Sequence, residues 1–380
     1  MATTLEVPKE TPSSTPVATT RLMSLDVFRG LTIAGMILVN NPGDWGHVYW
    51  PLEHAEWNGW TPTDLVFPFF LFIVGLSMVL SFDARRARGA SQGKLLLHAL
   101  KRSAIIFALG LFLSGYPHFD PHTIRIPGVL QRIAVVYLLS SVLVLYLGRK
   151  ARVAVAAVLL LGYWALMKII PVPGFGAGVL TPDGNLAAYV DRVLMYNHLY
   201  VAHRYDPEGI LSTLPSIVTC LLGVFTGEWL RGKQPTQIVR GLLIGAVAGI
   251  AIGKLWNFWF PINKNLWTSS YVLFAGGMAL ALLALCYWTI DVRGWKLWSR
   301  PFLWYGLNPL AIYALASFIG KASVVHKIGT ETPKGIIFNR VFAHLFASPY
   351  VCSMSYGLAY VLVFMLVAFV LYRAKVFIRV

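Results

Sequence analysis

The stretch that decides the fold covers residues 21–82 and reads RLMSLDVFRGLTIAGMILVNNPGDWGHVYWPLEHAEWNGWTPTDLVFPFFLFIVGLSMVLSF. Two apolar runs, at 25–40 and 63–82, flank a short polar segment. A membrane-spanning helix needs about 20 apolar residues, because a rise of about 1.5 Å per residue must cover about 30 Å of hydrocarbon. The polar segment carries the densest group of reactive side chains in the chain: Asn40, Asn41, Asp44, His47, Glu53, His54, Glu56, Asn58 and Asp64. We interpret this helical hairpin as the reactive centre of a membrane-embedded enzyme.

The composition places most of the chain in lipid. Of the 380 residues, 57% are hydrophobic and 13% are charged, about half the charged share of a soluble domain. The apolar runs predict about ten spanning helices, at 25–40, 63–82, 98–116, 129–147, 153–170, 214–230, 238–254, 268–290, 302–319 and 350–372. The predicted fold class is all-α, a polytopic integral membrane helix bundle. We expect a transmembrane domain at 21–380 and a disordered cytoplasmic tail at 1–20, which is rich in Thr, Ser and Pro.

The charge distribution predicts the orientation of the bundle. A net charge of +16 would suggest nucleic acid in a soluble protein. Here the cations fall in short loops between apolar runs, so the topology rule explains them and we expect no nucleic acid partner. The rule places the basic loops and both termini in the cytoplasm. The basic residues are Arg85, Arg86, Arg88, Lys94, Lys101 and Arg102, then Arg149, Lys150 and Arg152, then Arg231, Lys233 and Arg240, then Arg293, Lys296 and Arg300, and finally Arg373, Lys375 and Arg379.

The loops predicted outside are longer and more polar, at 41–62, 117–128, 171–213, 255–267 and 320–349. Loops of that length often carry function. They are rich in Trp, which fits an interfacial aromatic belt or a platform for a sugar ring. In the seventh predicted span, Gly241, Gly245, Gly249 and Gly253 recur every four residues. One helix face then holds all four, and we predict that a neighbouring helix packs closely against it.

Several polar side chains are candidates for binding or chemistry. Asp26 and Arg29 share a helix face, so they form either a local ion pair or a site in which Arg29 faces a phosphorylated cofactor from the cytoplasm. His54 lies between Glu53 and Glu56; a loop histidine is either solvated and idle or a base or nucleophile.

Other polar groups lie at the outer side. Asn40 ends the first span, where its amide either faces headgroups or donates to an oxyanion. Arg125 and Arg132 are on the outer side against the topology rule, and we expect a buried Arg132 to need an anionic partner such as Asp64 or Glu208. His118 and His122 are four residues apart, but Pro117 and Pro121 argue against a helix there, so we predict no metal site.

In order along the chain, these motifs resemble those of the heparan-alpha-glucosaminide N-acetyltransferase family, in a bacterial-type form that lacks the luminal domain. The matching segments are RL-SLDVFRG at 21–30, LVN at 38–40, HAEWNG at 54–59, DLVFP at 64–68, RIPGVLQR at 125–132, NHLY at 197–200, DPEGILS at 206–212, NKNLWTSS at 263–270 and LNP at 307–309. Each motif is weak alone, and the set is specific. Residues 41–50 make the interval between Asn40 and His54 longer than in the family.

The resemblance implies a multi-pass acetyltransferase of the cell inner membrane, which moves an acetyl group from cytoplasmic acetyl-CoA to an amino sugar or glycan outside. It implies His54 and Asn40 as catalytic residues, and we expect Asp64, Glu56 and Arg132 to orient them. For the donor we expect contacts from Arg29, Lys101, Arg102 and Asn308. For the acceptor we expect contacts from Trp57, Asn58, Asp206, Glu208, Asn263 and Lys264. Direct transfer and an acetyl-enzyme both remain open, as do N- and O-acetylation and a homodimer. A polytopic transporter of a small polar or sugar solute is the alternative function.

Overall fold

The computed structural model describes residues 22–201 and 203–378. The tail expected at 1–20, together with Arg21, lies outside the described residues. Thirteen α-helices are described: α1 Met23–Asn40, α2 Pro62–Arg86, α3 Gln92–Gly115, α4 Val129–Tyr146, α5 Arg149–Ile169, α6 Leu186–Met195, α7 Thr213–Leu230, α8 Pro235–Trp256, α9 Ser269–Cys286, α10 Arg300–Leu307, α11 Pro309–Val325, α12 Pro333–Ile337 and α13 Pro349–Arg373. The described strands are β1 Pro171–Val172 and β2 Gly176–Ala177, which form a two-stranded antiparallel hairpin. The prediction of an all-α polytopic bundle is confirmed.

Nine helices of the described chain are long and apolar enough to cross a membrane, and α10 with α11 makes a tenth crossing if the pair counts as one. This pair is bent by 86° at Asn308. The span predicted at 302–319 is therefore broken at Asn308 and not one straight helix. The break has a clear cause, because Pro309 lacks a backbone N–H and disfavours the α conformation in the residue before it.

The basic loops meet at one end of the bundle, which we call the basic end. The Arg152 guanidinium pairs with Glu228 at 2.7 Å, which links the start of α5 to the end of α7. Arg231 pairs with Asp83 and so links α7 to the end of α2. The backbone N–H of Ser24 donates to Asp291 at 3.2 Å, which brings the start of α1 to the end of α9. We call the opposite end, with the long connections that include 41–61 and 196–212, the loop end.

The centre of the bundle holds α1, α2, α7 and α9, whose spans are more than 60% buried. Around them, α3, α5, α8 and α13 expose most of their apolar surface, as lipid-facing helices do. The glycine face of α8 packs on α9: a Cβ on Gly249 would lie 2.9 Å from Gly277 Cα, and one on Gly277 would lie 2.6 Å from the Ile250 nitrogen. The predicted role of this glycine face in helix packing is confirmed.

The substitution Gly277→Ala should destabilise the bundle by about 1–3 kcal/mol, because the added methyl group forces two helix backbones apart. Thermal unfolding in detergent measures the effect. Gly162→Ala in α5 is the matched control, since nothing lies within 4 Å of its Cβ position. Equal unfolding temperatures for the two variants would contradict close packing between α8 and α9.

Candidate active site

The loop before α2 places a histidine against a buried carboxylate. The Nδ1 atom of His54 lies 2.6 Å from Oδ1 of Asp64. The Asp64 side chain is 1% exposed, whereas that of His54 is 50% exposed. An ionised carboxylate only accepts hydrogen bonds, so Nδ1 carries a hydrogen, and in the neutral imidazole Nε2 has the lone pair. The hydrogen bond to Asp64 therefore occupies Nδ1 and leaves Nε2 as the atom that can act as a base or nucleophile.

The start of α2 fixes this carboxylate. Thr61 caps the helix and Asp64 completes a capping box. The Oδ2 atom of Asp64 accepts from the backbone N–H groups of Ala55 and Thr61, both at 3.0 Å, and from the Thr61 hydroxyl at 3.2 Å. All three bonds leave Oδ1 for His54. The position of the imidazole thus follows from the same bonds that begin the helix.

Three aromatic side chains, Phe67, Trp267 and Tyr271, lie next to the first turn of α2, and we call them the aromatic layer. The Tyr271 hydroxyl donates to the backbone oxygen of Asp64. The Tyr271 ring packs edge-on against Trp267 at 5.3 Å, and Trp267 also contacts Phe67 at 5.1 Å. Arg132 lies over the Trp267 ring at 5.0 Å. Arg132 and Asp64 are therefore connected through two buried rings and not through a salt bridge.

Arg132 is almost fully buried, at 2% exposure. Its Nη2 donates to the Gly209 oxygen at 3.1 Å and to the Ser212 hydroxyl. Its Nε and Nη1 atoms have no hydrogen-bond partner in the part of the chain that the structure describes. The sequence suggested a carboxylate partner for a buried Arg132, whereas the structure provides a carbonyl, a hydroxyl and an aromatic face.

A second histidine–carboxylate pair lies in the same loop. His47 Nδ1 is 2.7 Å from Asp44 Oδ2, but both side chains are about 40% exposed. The hydrogen bond from His47 holds the pKa of Asp44 below its usual value. Because water competes for both partners, this pair orients its imidazole less firmly than Asp64 orients His54.

The other residues predicted around His54 lie at the surface. Asn40 is exposed at the end of α1, and Glu56 is exposed in the loop. Neither forms a hydrogen bond with His54 among the bonds of the described residues. The structure therefore brings His54 and Asp64 together, and leaves Asn40 and Glu56 outside that pair.

The basic end opens into a cavity of about 420 Å³. Its polar lining consists of Arg29, Arg85, Arg88, Arg102, His98, Ser77, Ser81 and Tyr137. The two serines and Arg85 and Arg88 recur at helical spacing along α2 and just beyond it. The arginines are the kind of side chain that binds phosphate groups. Of these residues, Arg29 and Arg102 were predicted to contact the donor. Ser77, Ser81 and Arg85 repeat every four residues, and this spacing is a signal in the sequence for a shared helix face.

Arg29 is held in place by three helices. Its Nη1 donates to Asp26 at 3.0 Å and to the Gly306 oxygen at 3.1 Å, and its Nη2 donates to the Ser77 hydroxyl at 2.7 Å. The backbones approach closely here, since a Cβ on Gly306 would lie 1.9 Å from the Asp26 oxygen. The interpretation as a local ion pair is confirmed. The Arg29 guanidinium also lines the cavity, and its contact with a phosphorylated cofactor stays a prediction.

The cavity extends far along α2. From Arg85 to Phe70 it follows 15 residues of the helix, which is about 22 Å at about 1.5 Å per residue. Another six residues, or about 9 Å, separate Phe70 from Asp64 along the same axis. The inner end of the cavity therefore lies close below the His54–Asp64 pair.

Two residues predicted to contact the donor do not line this cavity. Lys101 is exposed on α3 and, unlike the adjacent Arg102, does not line the cavity. Asn308 is fully buried at the break between α10 and α11 and binds the backbone after α13. Its neighbours Leu307 and Pro309 line the cavity in its place.

At the loop end, the residues predicted to bind the acceptor divide into two groups. Asp206 and Glu208 bind Arg125: Asp206 accepts from it at 2.8 and 2.7 Å, and Glu208 at 2.5 Å. Burial alone would raise the pKa of Glu208, but the charges of Arg125, Lys264 and Arg132 hold that pKa below its usual value. Both carboxylates are thus bound to Arg125 in one internal network.

The remaining predicted acceptor contacts surround the loop that carries His54. The Asn263 amide donates to Asn58 at 3.1 Å, and Trp57 donates to the Leu180 oxygen at 2.8 Å. Lys264 is half-buried, and its charge acts on both Asp64 and Glu208. Asn263 is fully buried, whereas Asn58 is exposed. Of this group, Asn58, Trp57 and Lys264 retain access to solvent.

A cavity of about 410 Å³ opens at the loop end between α3, α4 and α11. Its polar lining includes Arg125, Gln131, Tyr200, Tyr313 and Lys321. The same three helices line the basic-end cavity, through Ile106, Ile133 and Leu310 among others. The two cavities therefore lie one above the other along shared helices.

These features define a polytopic helical membrane protein with an arginine-lined cavity at one end and an oriented histidine at the other. The chain belongs to the heparan-alpha-glucosaminide N-acetyltransferase family: the family model described as "Heparan-alpha-glucosaminide N-acetyltransferase, catalytic" matches residues 21–252. It is 33% identical over 351 residues to the heparan-alpha-glucosaminide N-acetyltransferase of Homo sapiens, covering 77% of this chain and 52% of that protein. The Mus musculus protein of the same name shows 33% identity over 351 residues, with 77% and 53% coverage. The chain spans about half the length of these curated relatives.

A third acid of the loop-end network, Asp191 in α6, gives a test of the network by pH. Burial raises its pKa to about 7, although it accepts from the Ile210 N–H at 2.9 Å. A raised pKa in the folded state means that Asp191 favours folding below pH 4 and loses this contribution as the pH rises to about 7. The substitution Asp191→Asn should remove up to about 4 kcal/mol of this pH dependence.

Thermal unfolding of both proteins between pH 4 and 8 measures the difference. The asparagine variant should equal or exceed the parent protein at pH 8, and the two should converge as the pH falls. Parallel curves across the whole range would show that Asp191 ionises normally in the folded protein.

Proposed function

We propose that the protein is an acetyltransferase that takes the acetyl group from cytoplasmic acetyl-CoA and transfers it to the amino group of a sugar on the other side of the membrane. The observation that carries the proposal is the arrangement along α2. Arginines surround a deep cavity at one end, and Asp64, which binds His54, lies about 9 Å along the helix axis from Phe70 in the cavity lining. The positive-inside rule assigns the basic end to the cytoplasm, and a cell inner membrane is the proposed location.

The donor fits the basic-end cavity chemically. Acetyl-CoA carries several phosphate charges and cannot cross hydrocarbon, so its nucleotide stays at the cytoplasmic side. Arg29, Arg85, Arg88 and Arg102 would bind these phosphates. The uncharged arm that carries the thioester would then follow α2 past Ser77 towards Phe70 and the loop end.

The reaction assigns a role to each group of the pair. The acceptor nitrogen attacks the acetyl carbon and gives its proton to Nε2 of His54, and Asp64 stabilises the imidazolium that forms. The carbon–sulfur bond breaks, and the departing thiolate takes the proton from the imidazolium. Asn40 is proposed to donate to the carbonyl oxygen; this requires its exposed amide to turn towards His54. Transfer of the acetyl group to His54 first uses the same geometry.

The acceptor would approach from the loop end. Trp57, Asn58 and Lys264 offer a ring, an amide and a cation with access to solvent. Asp206, Glu208 and Asn263 would not touch the acceptor directly. Asp206 and Glu208 hold Arg125 in position, and Asn263 holds Asn58. N-acetylation is the proposed outcome, and a hydroxyl acceptor would yield an O-acetyl product at the same site. A homodimer in the membrane stays a prediction.

The helix break at Asn308 favours a second candidate function, transport of a small polar or sugar solute without chemistry. Broken helices that bend at a cavity are typical of transporters, and here the 86° bend lies next to the basic-end cavity. Proteoliposomes separate the two functions. The proposed enzyme forms acetylated product without net movement of the acceptor, whereas a transporter moves labelled amino sugar in the absence of acetyl-CoA.

His54→Ala should lower the rate of acetyl transfer by at least about 100-fold, the contribution of a positioned general base. The measurement is product formation from radiolabelled acetyl-CoA with a panel of amino sugars. His47→Ala is the matched control, because His47 has the same kind of partner in the same loop but an exposed carboxylate. Transfer that survives in His54→Ala, with unchanged thermal stability, would remove His54 from the mechanism.

Arg102→Ala should raise the KM for acetyl-CoA by about 10- to 100-fold, because it removes a charge-assisted bond to phosphate. Lys101→Ala is the matched control: it deletes the adjacent cation, which is exposed and does not line the cavity. Initial rates over a range of acetyl-CoA concentrations give both values. An equal rise in the two variants would indicate a general effect of surface charge and would contradict this donor site.

A further inference from the structure

The chain that follows α13 turns back over the basic-end cavity. Lys375 has a φ of 55°, in the left-handed region that commonly ends helices. The N–H of Val376 then donates to the Leu371 oxygen at 2.9 Å, and that of Lys375 to the Tyr372 oxygen at 3.1 Å. This is the pattern of a Schellman motif, which reverses the chain direction and aims residues 376–378 at α10 and α11.

Asn308 holds this returning segment by both ends of its side-chain amide. Its Nδ2 donates to the Val376 oxygen at 3.0 Å, and its Oδ1 accepts from the Ile378 N–H at 2.7 Å. Asn308 is fully buried, and the two bonds use the donor and the acceptor of the amide in the way that a neighbouring β-strand would. The helix break places the residue where it can do this, since Pro309 interrupts the hydrogen bonding of the helix there.

The held segment forms part of the cavity. The Ile378 side chain lines it together with Leu307, Pro309 and Leu310. Arg29 is bonded to Gly306, two residues before Asn308. The fixed arginine, the helix break and the returning segment therefore belong to one structural unit at the mouth of the cavity.

We propose that residues 376–378 form a wall of the acetyl-CoA site and that Asn308 is the positioning residue that keeps this wall in place. The inference rests on the proposed donor site. Asn308 was expected to contact the donor, whereas the geometry assigns it an action through Ile378. Loosening the wall should weaken the retention of the coenzyme in the cavity and leave the acceptor side unaffected.

The test uses three variants of the full chain: Asn308→Ala, Asn308→Asp, and a form truncated after Lys375, the last two also combined. Asn308→Asp keeps the shape and the helix break but loses the N–H donor to Val376. Initial rates and equilibrium binding of labelled CoA to purified protein are both measured. We expect each variant to raise the KM for acetyl-CoA and the Kd for CoA by about tenfold, the effect of losing one or two buried hydrogen bonds.

A wall gives a specific kinetic pattern. The kcat value and the acceptor KM should stay within about twofold of the parent values. Asn308→Asp combined with the truncation should be no worse than the truncation alone, because Asn308 has nothing left to hold. Asn339→Ala is the control, since this asparagine is exposed at the loop end.

Each other result overturns part of the proposal. If Arg102→Ala weakens CoA binding but the Asn308 variants and the truncation do not, the wall is wrong and the donor site stands. If the parent protein binds no CoA, the wall falls together with the donor site. Additive losses in the combined variant would show that Asn308 acts independently of the segment. If the Asn308 variants fail to fold, the truncation alone decides, because it leaves the helix break intact.

Discussion

A buried carboxylate at a membrane boundary must have its oxygens satisfied, and the rest of the loop-end structure depends on how Asp64 meets this requirement. One oxygen accepts from the backbone N–H groups of Ala55 and Thr61 and from the Thr61 hydroxyl, and Thr61 caps the start of α2. The other oxygen receives His54. Because desolvation makes any lost bond costly, the four donors constrain one another. The orientation of the imidazole is therefore a consequence of helix capping, and the loop needs no further contact to fix it.

The basic end meets the same requirement with a cation. The partners of Arg29 come from three helices, so the bundle cannot separate α1, α2 and α10 without exposing unpaired polar groups. The close backbone approach at Gly306 brings these partners within reach. The same Arg29 guanidinium also lines the basic-end cavity. One side chain thus joins three helices and contributes a positive charge to the proposed donor site.

Local signals in the sequence predicted the spans and the grouping of the basic loops, because hydropathy and charge act over short stretches. The catalytic role expected of His54 came from the family resemblance and stays a prediction. The four-residue spacing of His98, Arg102 and Ile106 places these cavity-lining residues on one face of α3. The same spacing excludes Lys101 from that face and could have been read from the sequence. The pairing of Arg125 with Asp206 and Glu208, 81 and 83 residues away, depends on tertiary arrangement and has no local signal. Asn308 shows the same limit, because its partners follow α13, about 70 residues later. Pro309 did give a local signal for the break, but hydropathy alone concealed it within one apolar run.

The aromatic layer between the two ends explains how the proposed reaction avoids an open pore. Phe67 and Trp267 pack at the level between the inner end of the basic-end cavity and the first turn of α2, and Tyr271 joins this layer to Asp64. Such a layer is a barrier to ions, because a charge in hydrocarbon-like surroundings is strongly disfavoured. An acetyl group on an uncharged arm meets a much smaller barrier over the remaining distance of about 9 Å. The apolar layer itself would then admit the acetyl arm and exclude ions. The protein would need to move only the acyl end of the donor, while the arginines and the proposed wall at 376–378 hold its charged end at the cytoplasmic side.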